Sequence, residues 1–215
     1  DSILELPGMA DMEGRIGWTP AYSSFQDFVT ALRVTTSRDT ARTWLTRMQA
    51  LTPKSYTSNT PMVRALEAGE IDVALTNHYY VLRLKHGGAE GEYEGDEEEN
   101  EEGEEEATPR ASAPVEMYHF EDGDLGNLAL VTGAGALQAS DQSEAARQFL
   151  QFLLSEEAQS YAATQVNEYP VVQGTTVPAY MMPVEQALRL SPTFDLQQLQ
   201  EMDPTLTLLR DVGAL

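Results

Sequence analysis

Residues 69–80 read Gly-Glu-Ile-Asp-Val-Ala-Leu-Thr-Asn-His-Tyr-Tyr, and they decide the fold class of this chain of 215 residues. The short apolar run from Ile71 to Leu75 predicts a buried strand. The strand is followed by polar residues and then by two adjacent tyrosines, Tyr79 and Tyr80. Open α/β sheets bind ligands beyond the carboxyl ends of their strands, so these phenols are predicted to lie at a ligand-binding edge.

Two neighbouring phenol groups can act as metal ligands when a highly charged cation lowers their pKa from about 10. Ferric iron is the natural candidate, because hard oxygen ligands suit hard cations. In the alternative interpretation, one tyrosine packs in the core and the other caps a surface. Adjacent residues on a regular strand point oppositely, so Tyr79 and Tyr80 can reach one ion only where the strand turns into a helix.

The segments before this stretch alternate between strand and helix. A short strand is predicted over residues 16–18, and Ser24 with Asp27 predicts a capping box at the start of the next helix. Further helices are predicted over residues 38–50 and from Asn59 to Gly69. This alternation is typical of α/β folds.

The second half of the chain is predicted to be mostly helical. Strands are expected over residues 115–120 and 127–131, and residues 141–164 read as one long helix or two abutting ones. A regular apolar stripe on that helical segment is expected to lie in the core, and consists of Ala146, Phe149, Leu150 and Leu153.

The charge of the chain is strongly negative and unevenly placed. The formal net charge is −22, and residues 90–106 hold twelve acidic residues and no basic one. Such an acidic chain is not expected to bind nucleic acid, because the phosphates would be repelled. Residues 87–114 are predicted to be a disordered acidic insertion in a surface loop. Collection of cations by this tract is the functional alternative.

Several function classes find no support in the sequence. The chain has no cysteine, which excludes disulfides, thiolate metal sites and a cysteine nucleophile. It contains no run of about 20 apolar residues that could span a membrane. There is no nucleophile elbow, phosphate loop or dinucleotide fingerprint, so the chain is not expected to be an enzyme.

Residues 58–80, with the element Asn77-His78-Tyr79-Tyr80, closely resemble periplasmic ferric-iron-binding proteins, the solute receptors of iron ABC importers. The resemblance continues in Gly-Arg-Ile-Gly-Trp-Thr-Pro at residues 14–20. It continues again at residues 122–128, 153–159 and 168–172. It covers nearly the whole chain except the acidic stretch.

The resemblance implies an α/β fold that is type II periplasmic-binding-protein-like, with two α/β lobes and the ligand held between them. Residues 14–125 would form one nearly complete lobe, the second, which carries the insertion at about 87–114. Residues 126–215 would form the C-terminal part of the first lobe. The N-terminal part of that first lobe is expected to be lacking.

The resemblance also implies a set of site residues. Tyr79 and Tyr80 match the tyrosine pair that binds ferric iron in the family. The positions that match the family's site for a phosphate- or carbonate-like anion are Tyr22, Ser23, Ser24, Asn59 and Asn77. Tyr22 is bulkier than the small polar residue common at its position. Alternatively, Ser24 and Asn59 serve only as helix caps.

The function implied is that of an extracytoplasmic receptor, periplasmic or anchored to the cell surface. It would capture ferric iron with an anion and deliver it to an ABC permease. It would meet the membrane only through the permease or a lipid anchor outside this chain. Two alternatives remain open. One is a receptor for an organic solute such as thiamine or a polyamine, and the other is an acidic interaction module without a transport role.

Overall fold

The computed structural model describes residues 2–88 and 109–215, and most of the predicted insertion lies outside these residues. The chain forms two compact units, which we describe separately. Unit 1 comprises Asp1–Val81, Ser112–Leu130 and Leu188–Leu215, and unit 2 comprises Leu82–Ala111 and Val131–Ala187. The division into lobes at residues 14–125 and 126–215 stays a prediction. Among the described residues, no helix is both long enough and apolar enough to cross a membrane.

Unit 1 contains a small parallel sheet in the order β2-β1-β3. Its strands are β1 (Ile16–Trp18), β2 (Lys54–Ser55) and β3 (Val73–Ala74). Gly17 on the central strand pairs with Lys54 on one side and with Ala74 on the other. The predicted strands at residues 16–18 and in the apolar run from Ile71 are therefore confirmed, whereas β2 was not predicted.

The helices follow the strands in the alternation that the sequence predicts. In chain order the α-helices of the described residues are α1 (Ser23–Thr35), α2 (Arg38–Ala50), α3 (Asn59–Glu67), α4 (His78–His86), α5 (Ser143–Leu153), α6 (Glu156–Tyr161), α7 (Val184–Leu190) and α8 (Met202–Asp211). A π-helical turn occupies Ala162–Val166. The 3-10 helices are Ile3–Gly8, Ala10–Met12, Leu125–Asn127 and Leu196–Gln200. The α/β fold class is confirmed.

The capping box predicted for α1 is wrong. The helix begins at Ser23 with Tyr22 as its N-cap, because the Tyr22 carbonyl already accepts the Gln26 N–H at 3.1 Å. Ser24 therefore lies inside the first turn, where it cannot act as an N-cap. A turn in which the Tyr22 N–H donates to the Thr19 carbonyl sets this start.

The core of unit 1 lies around the two tryptophans. Trp18 packs edge-on against Phe25 at 5.5 Å between ring centroids, and Phe28 packs against Trp44 at 5.4 Å. The indole N–H of Trp44, a group that needs a partner when buried, donates to the Ile3 carbonyl at 2.9 Å. This bond ties the N-terminal 3-10 helix to α2.

The strands predicted over residues 115–120 and 127–131 are absent from the structure. Hydrogen bonds from a side chain take the place of the backbone hydrogen bonds that a neighbouring strand would make here. The Asn127 side chain accepts from the Phe120 N–H at 2.9 Å and donates to the Phe120 and Glu121 carbonyls at 3.1 and 3.0 Å. One amide thereby satisfies backbone groups that a neighbouring strand would otherwise bond.

The apolar stripe on α5 was predicted to be core, and this prediction is wrong for unit 2 as described. No residue of α5 is buried. Phe149 is 60% exposed and Phe152 is 49% exposed. The helix is amphipathic as the sequence pattern requires, but no element among the described residues of unit 2 buries its apolar face.

A substitution at Gly17 tests how tightly the central strand β1 is packed. A Cβ added there would lie 2.6 Å from Ile71 Cδ1 and 2.9 Å from Met62 Cγ. We expect Gly17→Ala to lower the free energy of unfolding by about 1–3 kcal/mol, because overpacking forces buried side chains off their rotamers. Gly135→Ala is the matched control, because a Cβ at Gly135 meets nothing within 4 Å. Urea denaturation that finds equal midpoints for both variants would contradict the packing described here.

Candidate functional site

The parallel sheet of unit 1 brings three helix N-termini to one edge. Each strand is followed by a helix or by a loop that leads to one: β1 by α1, β2 by α3 and β3 by α4. Hydrogen bonds extend the pairing past the strand ends, from Tyr56 N–H to the Trp18 carbonyl at 3.0 Å and from Leu75 N–H to the Gly17 carbonyl at 3.1 Å. Parallel strands have their carboxyl ends together, so the positive ends of these helix dipoles face the same edge.

Tyr79 and Tyr80 lie in the first turn of α4. The chain leaves strand geometry after Ala74 and enters the helix at His78. The two phenol rings are neighbours, with centroids 4.5 Å apart and planes inclined by 34°. Both phenols were predicted to reach one ion only if the strand turns into a helix, and the structure has this turn between β3 and α4.

Tyr22 joins the tyrosine pair from the start of α1. Its hydroxyl oxygen lies 2.9 Å from that of Tyr80, which is hydrogen-bond distance. Tyr22 makes no side-chain capping bond to its own helix. Tyr80 is 8% exposed, whereas Tyr79 and Tyr22 are half-buried. Three phenol groups from two helices therefore meet at the sheet edge.

Two asparagines interact with the phenol groups of the tyrosine pair. The Asn77 side-chain amide donates to the Tyr79 hydroxyl oxygen at 2.9 Å. Asn59 is fully buried, and its side-chain carbonyl accepts from the Thr19 hydroxyl at 3.4 Å. Its amide nitrogen makes no hydrogen bond of normal geometry to the described residues, but it acts electrostatically on Tyr80. The Asn77 amide thus donates to one phenol oxygen, and the Asn59 amide favours the charged form of Tyr80.

The Tyr80 phenol is held in its neutral form when no cation is bound. Burial raises the pKa of Tyr80 well above its ordinary value, and the contacts with Tyr22 and Tyr79 raise this pKa further. The Asn59 amide acts in the opposite direction. Removal of the Tyr80 proton therefore requires a strong positive charge nearby, such as a metal ion.

The remaining predicted anion positions lie at the same helix start. Ser23 and Ser24 form the first turn of α1, with Ser23 exposed and Ser24 half-buried. Neither the metal-binding nor the anion-binding assignments are tested by the structure, and they stay predictions. His78 packs edge-on against Tyr79 with centroids 5.7 Å apart.

The sequence analysis singled out neither threonine of the site. Thr19 holds Asn59, and the buried Thr76 hydroxyl has no hydrogen-bond partner within the described part of the chain. Both threonines directly follow an apolar strand segment, in Trp18-Thr19 and in Leu75-Thr76. Position at the carboxyl end of a parallel strand is the signal that could have identified them.

The atoms at this edge that could ligate a metal ion are phenol oxygens. Within residues 2–88 and 109–215, no three histidine, aspartate or glutamate side chains cluster so as to hold a metal ion. Three phenols that interact with asparagine amides suit a hard cation of high charge.

No family model matches the chain. The iron uptake protein A2 of Synechocystis sp. is 29% identical over 166 residues, which are 76% of this chain and 44% of that protein. The Fe(3+)-binding periplasmic protein of Serratia marcescens is 24% identical over 215 residues, all of this chain and 56% of that protein. The structure of iron-bound HitA from Pseudomonas aeruginosa matches with a TM-score of 0.80 and 31% identity, over 99% of this chain and 61% of HitA.

These matches confirm the resemblance that the sequence analysis found. The chain spans about half the length of the curated relatives it matches. By sequence and by fold, the chain is similar to proteins named as periplasmic ferric-iron-binding proteins.

Proposed function

We propose that this chain is part of an extracytoplasmic receptor that captures ferric iron, with the phenol oxygens of Tyr79 and Tyr80 as ligands. The observation that carries the proposal is the meeting of three phenols at the carboxyl edge of the sheet, with Tyr22 2.9 Å from Tyr80. The similarity to proteins named for ferric iron supports the choice of cation.

Charge balance supports a trivalent cation. With Tyr22 as a third ligand, the phenolates would carry three negative charges, which a ferric ion neutralises, whereas a divalent cation would leave one charge in a half-buried site. The N-termini of α1, α3 and α4 further favour negative oxygens at this edge. The Asn77 and Asn59 amides supply hydrogen-bond donors to the phenolates that form.

Tyr22 admits two roles at this site. The resemblance assigns it to a phosphate- or carbonate-like anion, together with Ser23, Ser24, Asn59 and Asn77. Its hydroxyl instead contacts Tyr80 directly, which favours a third phenolate ligand. The first turn of α1 still offers backbone N–H groups to an anion that completes the coordination.

We further propose that the whole protein delivers its iron to an ABC permease from the periplasm or the cell surface. The relatives are named as iron-uptake and periplasmic iron-binding proteins, which supports this setting. A receptor of this kind must release its ion to the permease, and the proton–iron competition at the phenols gives a chemical route for release.

The tyrosine pair is tested by ferric titration of the full-length parent. We expect a visible phenolate-to-iron band that is lost in Tyr79→Phe/Tyr80→Phe, with affinity lower by more than about 100-fold, since even outer-shell partners are worth about 10–100-fold. The exposed Tyr161→Phe is the matched control and should keep the band. A parent that gives no band and takes up an organic solute would refute the iron proposal.

Iron titrations with and without phosphate distinguish the two roles considered for Tyr22. If Tyr22 is a ligand, Tyr22→Phe shifts the visible band and lowers iron affinity by about tenfold or more, in buffers with and without phosphate. If Tyr22 only holds an anion, the band of the variant keeps its position, and the affinity changes only when phosphate is present. Titrations in both buffers, with Tyr161→Phe alongside, decide between these outcomes.

Iron affinity should rise with pH. Because the pKa of Tyr80 is raised, its phenol is protonated throughout the neutral range, and binding must release that proton. Each phenol that ionises makes the apparent affinity about tenfold stronger per pH unit, so lowering the pH favours release. Tyr80→Phe should reduce the slope of log affinity against pH by about one. Affinity measured between pH 6 and 8 that shows no slope would contradict phenolate ligation.

A further inference from the structure

The C-terminal end of α4 is held by a polar cluster, the Asn167 cluster, made of His86, Gly87, Asn167 and Tyr180, of which His86 and Tyr180 are exposed. Asn167 is fully buried. Its side-chain amide donates to the Gly87 carbonyl at 3.0 Å, and its side-chain carbonyl accepts from the Tyr180 hydroxyl at 2.7 Å. The Tyr180 ring stacks on His86, with centroids 3.8 Å apart and planes within 10°.

The backbone of Asn167 is shaped for this contact. Its φ of 63° and ψ of 28° lie in the left-handed region, which asparagine tolerates better than most residues. It directly follows the π-helical turn Ala162–Val166, and its N–H bonds back to the Ala162 carbonyl. A non-glycine residue in this conformation persists only where its surroundings fix it, and such residues cluster at functional sites.

Gly88, which follows α4, packs closely against the Asn167 segment. Gly88 has a φ of 135°, and a Cβ there would lie 2.5 Å from the Gln165 carbonyl oxygen and 2.9 Å from Asn167 Nδ2. The chain that leaves α4 therefore passes against the Asn167 segment at close range. In this way the cluster fixes the end of α4 in position, in addition to satisfying one of its terminal carbonyls.

A helix as short as α4 depends on such anchors. It has nine residues, about two and a half turns, and helices of this length are not stable alone. Tyr79 and Tyr80 lie in its first turn, and His86 is its last residue. A shift of the helix along its axis would move both phenols together relative to their neighbours at the sheet edge.

We propose that Asn167 is a positioning residue for the tyrosine pair, which acts by fixing the C-terminal end of α4. The inference rests on the proposed function, since the atoms that it positions are the iron-binding phenol oxygens. Asn167 lies 87 positions after Tyr80 in the chain and belongs to none of the motifs that carry the resemblance.

Asn167→Gly isolates the side chain from the backbone. Glycine adopts a φ of 63° without strain, so this variant removes the side-chain hydrogen bonds of Asn167, including those to Gly87 and Tyr180, and keeps the turn. We expect iron to dissociate about tenfold faster and the phenolate-to-iron band to shift, in line with the about 10–100-fold effect of outer-shell partners. Tyr180→Phe keeps the stacking on His86 and removes one hydrogen bond, so a smaller change in the same direction is expected. Gln165→Ala, at an exposed position, is the control.

Amide hydrogen exchange of the iron-free chain separates this proposal from the proposed function. Asn167→Gly should speed exchange at the amides of Val81 and Leu82, beyond the first turn of the helix. If the variant lowers only the unfolding midpoint, with exchange at these amides and iron release unchanged, Asn167 is merely structural and the proposal is overturned. If the parent binds no iron, the proposed function fails, and the exchange data still decide whether Asn167 positions α4.

Discussion

Two adjacent tyrosines can bind one cation only if the backbone leaves strand geometry between the sheet and the first phenol, and the site depends on this constraint. In a strand, Tyr79 and Tyr80 would point to opposite faces. In the first turn of α4 their rings lie 4.5 Å apart. The short β3 and the immediate start of α4 are therefore requirements of the site. Neighbouring parallel strands then bring Tyr22 and Asn59 to the same edge from α1 and α3.

Burial would favour highly charged cations at the proposed site. Tyr80 is 8% exposed and Asn59 is fully buried, so charges that form here are poorly screened by water. Thr19 donates to the Asn59 side-chain carbonyl, and the Asn59 amide acts to lower the pKa of Tyr80. A donor fixed in this way stabilises a phenolate but contributes little to a neutral phenol. The edge therefore favours a cation strong enough to displace protons.

The sequence predicted the local elements of the site well and the long-range contacts poorly. The apolar run from Ile71 and the helix around Tyr79 follow from local pattern, and α2 begins and ends at the predicted residues. The contact between Tyr22 and Tyr80 joins residues 58 positions apart, and it depends on strand order, which periodicity does not encode. The strand predicted at residues 115–120 does not form, which shows the same limit. Strand propensity does not tell whether a partner strand is present, and here the Asn127 side chain bonds the Phe120 N–H instead.

The phenol cluster explains how one site can be stable both with and without its ion. The neutral phenols of Tyr22 and Tyr80 are hydrogen-bonded to each other, and that of Tyr79 accepts from the Asn77 amide, so neutral phenols leave the edge without charge. If Tyr22 ligates together with Tyr79 and Tyr80, three protons leave as a ferric ion enters, and the three phenolates and the ion together carry no net charge. A site built from carboxylates would hold uncompensated negative charge whenever iron was absent, at a large desolvation cost. Tyr80 avoids this cost because burial raises the pKa of its phenol, and the same property would make the occupancy of the proposed site sensitive to protons.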